Sequence, residues 1–236
     1  KALNTFNLPD PTIDDPSLYF DTKLYTGDGN SSNAQTGLNF SPDFAWVKPR
    51  SAAYSHNLYD TIRGDNKRLV SNADSAEQTV GFEFQSNGFD PTGSNDNNTT
   101  YVTWAWDAGS EDAETNNDGD IESEVKANTS AGFSIVEATI SSAGTVGHGL
   151  NANPSMVIRK RTDSTGDWYV AFDAGSAEGY LLLNDTDAIT SQSQNLTSTT
   201  FDAAWLGNSN ETWINYCFSE VEGYSKFGTY EGSSDL

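Results

Sequence analysis

"GLNFSPDFAWVKPR" occupies residues 37–50, and "GLNANPSMVIRKR" occupies residues 149–161. The two phrases lie 112 positions apart, and at that offset the chain matches itself without a gap from Gly37 to Asp107. About thirteen identities over roughly seventy positions mark an internal repeat. The matches fall at positions suited to turns and cores: Gly37 with Gly149, Pro42 with Pro154, Lys48 with Lys160, Leu69 with Leu181, Asn72 with Asn184, Phe89 with Phe201, Asp90 with Asp202 and Asn98 with Asn210. Apolar character repeats even where letters differ, as in "TYVTWAWD" at 100–107 and "TWINYCFS" at 212–219.

Working outward from the repeat, short alternating or aromatic segments are separated by turn clusters at roughly ten-residue spacing. "DFAWVKPR", "HNLYDTI", "KRLVSN" and "VGFEFQS" belong to the first copy; "FSIVEATI", "WYVAFD" and "YLLLND" belong to the second. Period-2 patterning with Thr, Val and aromatic residues predicts an all-β chain of two tandem antiparallel β-sandwich modules related by internal duplication. Residues 1–18, with Pro9, Pro11 and Pro16, read as an extended arm that regular pairing excludes. Residues 19–115 form the first module and 116–130 an acidic linker. Residues 131–236 form the second, with an extra C-terminal strand suggested by "FGTYEG" at 227–232. Both ends are expected to act between molecules, because the arm and that strand lack partners of their own.

Composition narrows the partners. The 236 residues carry 34 acids against 12 bases, a formal net charge of −22. Such a chain repels phosphate backbones and anionic lipid surfaces, so nucleic acid is excluded as a partner. No apolar run reaches the length of a membrane span, so membrane insertion is not expected. Twelve Phe, ten Tyr and six Trp supply real cores. The single cysteine, Cys217, lies inside the apolar run "WINYCF" and reads as a buried, unreactive thiol.

The phrases "FSPDFAWVKPRS", "SHNLYDTIRG", "LVSN", "SNGF", "TYVTWAWDAG", "AGFSIV", "GTVGHGL" and "VEGYSKFG" together resemble a recurring module of tailed-phage virion proteins, of marine and cyanophage type, described as concanavalin-like or tail-fibre-like. The resemblance spans Phe20 to Gly232. It implies a virion-surface location and a role as tail fibre or receptor-binding component attaching to host surface glycan, with other virion proteins and further copies of the chain as partners. The alternative is a capsid-decorating or fibre-shaft module without a ligand. Arg159 departs from the pattern by interrupting an otherwise apolar strand.

Candidate residues follow from chemistry. A flat indole stacks on the apolar face of a sugar, and Trp168 and Trp205, beside turns, are the glycan-binding candidates. Trp46, Trp104, Trp106 and Trp213 lie in strand-like runs and read as core. Asp118, Asp120 and Glu122 in "NNDGDIESE" offer oxygen ligands for Ca²⁺, although the spacing is not that of an EF-hand and a solvated linker is the favoured reading. "RGD" at 63–65 reads as a turn using Gly64. Neither His56 nor His148 has a nucleophile motif beside it, so no catalytic residue is assigned, no cofactor is called and an enzyme is not expected.

Overall fold

The computed structural model describes residues 11–173, 178–203, 206 and 209–228. Strands dominate. The first half forms β1 (Phe20–Thr26), β2 (Gln35–Thr36), β3 (Phe44–Pro49), β4 (Asn57–Asp60), β5 (Lys67–Val70), β6 (Gln78–Thr79), β7 (Glu83–Gln85), β8 (Gly88–Asp90) and β9 (Thr100–Trp106). The second half forms β10 (Glu114–Asn116), β11 (Ser123–Asn128), β12 (Phe133–Ile140), β13 (Thr145–Gly147), β14 (Met156–Arg161), β15 (Trp168–Asp173), β16 (Glu178–Leu182), β17 (Thr200–Asp202) and β18 (Glu211–Phe218). Short 3₁₀ turns, Pro16–Leu18 and Thr92–Ser94, are the helical elements among the described residues.

These strands pair antiparallel into two large sheets, β1-β9-β3-β4-β5-β6 and β10-β11-β12-β18-β14-β15-β16, and two small ones, β2-β8-β7 and β13-β17. The order β1-β9-β3-β4-β5 in the first recurs as β12-β18-β14-β15-β16 in the second. Local bonds recur with it. The His56 N–H donates to Asn72 Oδ1 at 2.9 Å, and the Trp168 N–H donates to Asn184 Oδ1 at 2.8 Å. Lys48 Nζ donates to the Pro49 carbonyl at 2.8 Å, and Lys160 Nζ to the Arg161 carbonyl at 2.6 Å. Gly37 and Gly149 sit at φ of 93° and 72°, and Asn98 and Asn210 at 61° and 58°, in the left-handed region that glycine and asparagine occupy most readily. The repeated letters therefore mark a shared turn conformation and shared side-chain anchors.

Packing stacks the sheets in four layers. Leu38, Phe40, Phe82 and Phe89, from the β2-β8-β7 layer and its loops, cover one face of the first large sheet through Tyr25, Ala45, Val47, Tyr59, Tyr101 and Ala105. Val146, Leu150 and Phe201 cover one face of the second through Val136, Val157, Trp213 and Cys217. The remaining faces meet each other, and a core of Phe44, Leu58, Leu69, Phe133, Ile135, Trp168, Ile214 and Tyr216 draws on both. Phe44 stacks on Tyr216 with centroids 4.3 Å apart. Along β18, Ile214 and Tyr216 point to this shared core while Trp213 and Cys217 point to the outer one, which is why "WINYCF" reads as a continuous apolar run.

Two sandwiches each closed on its own core were expected; instead the two halves share the middle core. A small covering sheet seals only one face of each large sheet, and the other aromatic face needs an equally large partner. The stretch read as the linker 116–130 also differs: Ser123–Asn128 is β11, paired to β12 along its length, with Ser123 and Val125 buried and Glu124 exposed. In the N-terminal arm, the Thr12 N–H donates to the Glu222 carbonyl at 3.1 Å, so its described part docks on its own chain. Residues 226–228 carry no strand, and the remainder of the expected C-terminal strand, 229–236, lies outside the described residues.

Candidate functional site

Trp168 does not face a ligand. It is fully buried in the shared core, and its indole Nε1 donates across the sheets to the carbonyls of Val70 at 2.9 Å and Ala73 at 3.2 Å. Its place at the start of β15, beside a turn, looked exposed in sequence, but the facing sheet covers it. Glycan stacking by Trp168 is thereby ruled out; Trp205 lies outside the described residues. The Ca²⁺ candidates do not converge either. Asp118 bonds Asn116 Nδ2 at 3.0 Å, and Asp120 accepts from the Thr145 N–H at 3.1 Å and Oγ1 at 2.9 Å, bonds that lower its pKa. Asp118, Asp120 and Glu122 are all exposed, and no group of three or more His, Cys, Asp or Glu suited to a metal forms among the described residues.

His148 is buried, with Nε2 3.2 Å from the Thr197 carbonyl and Nδ1 accepting from the Leu150 N–H, and burial lowers its pKa. Cys217 is buried in β18, and burial pushes its thiol up to about 12. Arg159 lies within the outer core of the second sheet, its guanidinium 4.5 Å from the Phe201 ring centroid and bonded to the Asp202 carbonyl at 2.9 Å. Burial lowers its pKa to about 10.

Ionic chemistry concentrates instead at the seam between the large sheets. Arg63 of the "RGD" turn, with Gly64 at φ 87°, points inward and holds Asp60 at 2.6 Å, both side chains being almost fully buried. Asp60 also accepts from the Tyr216 hydroxyl at 2.7 Å, joining β4 to β18. Burial works against the Arg63 charge, but Asp60, Tyr216 and Glu77 outweigh it and hold its pKa above the ordinary value. Nearby, Lys126 of β11 reaches Asp43 at 2.7 Å. Glu137 and Asp107 flank these pairs, and burial raises the pKa of each carboxyl. A groove of about 580 Å³ opens beside Asp107, Glu111, Lys126 and Asn128, but Lys126 is committed to Asp43 and Asn128 Nδ2 to Asp107. The seam's donors and acceptors bond to one another, an arrangement that fixes how the sheets face.

A second feature lies at the rim of the first sheet. Across β1, β9 and β3, the shared-core face carries three rows: Phe20–Trp106–Phe44, Thr22–Trp104–Trp46 and Leu24–Val102–Lys48. Phe133 and Phe218 pack against the first row, while the third reaches solvent, with Leu24 58% exposed. β1 is also the end strand of its sheet. Because Asp107 N–H donates to the Tyr19 carbonyl and Gly27 N–H to the Thr99 carbonyl, odd-numbered residues of β1 face β9. Backbone groups of Phe20, Thr22, Leu24 and Thr26 therefore point to the open edge. The sequence reading missed this edge; its signal was Pro11 and Pro16 ahead of β1, in a stretch whose described part forms no strand.

Fold and seam together define a β-sandwich-like all-β protein whose large sheets are locked face to face by a buried ionic network. The chain belongs to the family described as "Domain of unknown function (DUF7483)", whose model matches residues 15–236. No curated protein and no solved structure matches it.

Proposed function

We propose that this chain is a structural protein of a phage-type particle surface, a capsid-decorating or fibre-shaft module, built from two β-modules related by internal duplication. The burial of Trp168 is the observation that favours this reading over host attachment. The indole that suggested sugar stacking is instead a cross-sheet anchor bonded to Val70 and Ala73. A rigid stack whose aromatic faces are spent on one another suits load-bearing and spacing. The duplication reading is supported by the 112-residue register and by the matching bonds of His56 with Trp168 and of Lys48 with Lys160. The net charge of −22 suits an exposed, soluble particle surface.

Two measurements test the reading. Electron microscopy of purified particles with gold-labelled antibody against this chain is expected to decorate the capsid or a fibre shaft. A glycan array probed with the folded protein is expected to be blank. Label at receptor-contacting fibre tips, together with array binding, would return the protein to the attachment class. An unlabelled particle would end the virion reading altogether.

A further inference from the structure

Among the described residues the first large sheet ends in a strand paired on one side only, and its counterpart in the second sheet is covered on both. β12 pairs with β18 on one side and with β11 on the other. β1 pairs with β9, and among the described residues no strand pairs with its other edge. Thr22, Leu24 and Thr26, whose backbone groups point to that edge, are all exposed. Part of the edge has local partners: Thr22 N–H donates to Asp21 Oδ1 at 2.7 Å, and the Thr26 carbonyl accepts from Asn33 Nδ2 at 3.1 Å. Natural edges are guarded by an outward lysine, a proline or a bulge. Here Lys23 is turned back to the Thr36 carbonyl, and "FDTKLYT" contains no proline.

The edge is also complementary to itself. For two copies of β1 to pair antiparallel through these groups, even-numbered residues must face even-numbered residues, which leaves few registers. Placing Asp21 opposite Asp21, or Lys23 opposite Lys23, sets like charges together. With Thr22 opposite Thr22, Asp21 faces Lys23 twice across the two-fold axis, and Phe20 faces Leu24 twice. Two opposite-charge pairs then form on one face, and on the other the exposed Leu24 is covered by an aromatic ring. We propose that the chain forms a two-fold homodimer by antiparallel pairing of β1 with β1 of a second copy, in the register that sets Thr22 against Thr22, so that the two first sheets become one continuous sheet.

This inference stands apart from the particle reading, since a dimer forms or fails in solution whatever the protein's location. Sedimentation velocity on the full chain at roughly 100 µM and physiological salt, where repulsion between the acidic copies is screened, is expected to show a dimer. Thr22→Pro removes an edge N–H without touching the β9 ladder and is expected to leave a monomer with an unchanged circular dichroism spectrum. Asp21→Lys and Lys23→Asp, each placing like charges opposite one another, are expected to weaken the dimer about tenfold, and the double swap to restore it. A wild-type chain that stays monomeric, or a dimer indifferent to Thr22→Pro, overturns the proposal. Single swaps that weaken a dimer the double swap does not rescue overturn the register.

Discussion

β1 and β12 hold the same place in their sheets, yet among the described residues one is an edge strand and the other an interior strand. Phe20 pairs with Trp106 and Phe133 with Phe218, so Phe133 is the counterpart of Phe20. Ahead of Phe133 runs "SEVKAN", which forms β11. Ahead of Phe20 the corresponding stretch is "DPTIDD", containing Pro11 and followed by Pro16. Proline has no N–H to give a ladder and fixes φ away from strand values, so the first stretch leaves the sheet and its Thr12 bonds Glu222 instead. Among the described residues the two halves thus differ in how this flanking segment pairs, and also in their small sheets, three-stranded in the first half and two-stranded in the second.

The largest test of the comparison concerns Trp168, which opens β15, and His56, which immediately precedes β4. Trp168→Ala is expected to lower stability by about 3–5 kcal/mol, because it opens a cavity in the shared core and removes the indole donor shared by the carbonyls of Val70 and Ala73. His56→Ala, at the matching place in the first module, is expected to cost less than about 1 kcal/mol, since His56 is half exposed. Urea unfolding midpoints of both variants check this, and equal losses would break the asymmetry.

Next comes Lys160, whose ammonium is buried, with its pKa lowered to about 8 from an ordinary 10.5 chiefly by desolvation. Between those values the unfolded chain binds more protons than the folded one, so stability is expected to rise as pH climbs from about 8 toward 10. The rise is on the order of 2 kcal/mol. Lys160→Met should flatten it, whereas Lys48→Met, at the half-buried counterpart, should leave it in place. Unfolding curves across that pH range separate the two.

The smallest expected difference reads the presence of β11 directly. Both Gly37 and Gly149 have positive φ, so alanine at either is expected to cost about 1 kcal/mol. At Gly149 an added Cβ would also fall 2.9 Å from Val125 Cγ1 and 3.2 Å from Ala127 Cβ, both on β11, while at Gly37 the nearest atom is Lys23 Nζ at 3.5 Å. Gly149→Ala is therefore expected to cost roughly 1 kcal/mol more than Gly37→Ala. Thermal melts of the two variants measure it, and equal costs would place β11 less tightly than described.

Much of the strand pattern was legible, for a local reason. The apolar runs at β3, β9, β14 and β18 and the glycine and asparagine turns have a period and a backbone need that sequence records directly. Cys217 followed, because a small apolar residue inside a continuous apolar run has few other places to go. β11 was hidden by its acids: Glu122 and Glu124 alternate with Ser123 and Val125, and counting charge concealed a two-residue period. Trp168 was misread because exposure beside a turn is not a local property.

By itself the sequence determined that the chain is β-rich, that a 112-residue register runs through it, and where each repeat must turn. Alternation, proline placement and positive-φ residues act within a few positions of one another, so they survive translation into local structure. Only the tertiary structure decided that the two large sheets share a middle core, that Arg63 turns inward to Asp60 and Tyr216, and that Trp168 seals the seam. Apart from the local Arg63–Asp60 pair, those contacts join residues roughly one hundred or more positions apart, and which apolar face meets which is set by the total area that must leave water, a quantity no single segment carries.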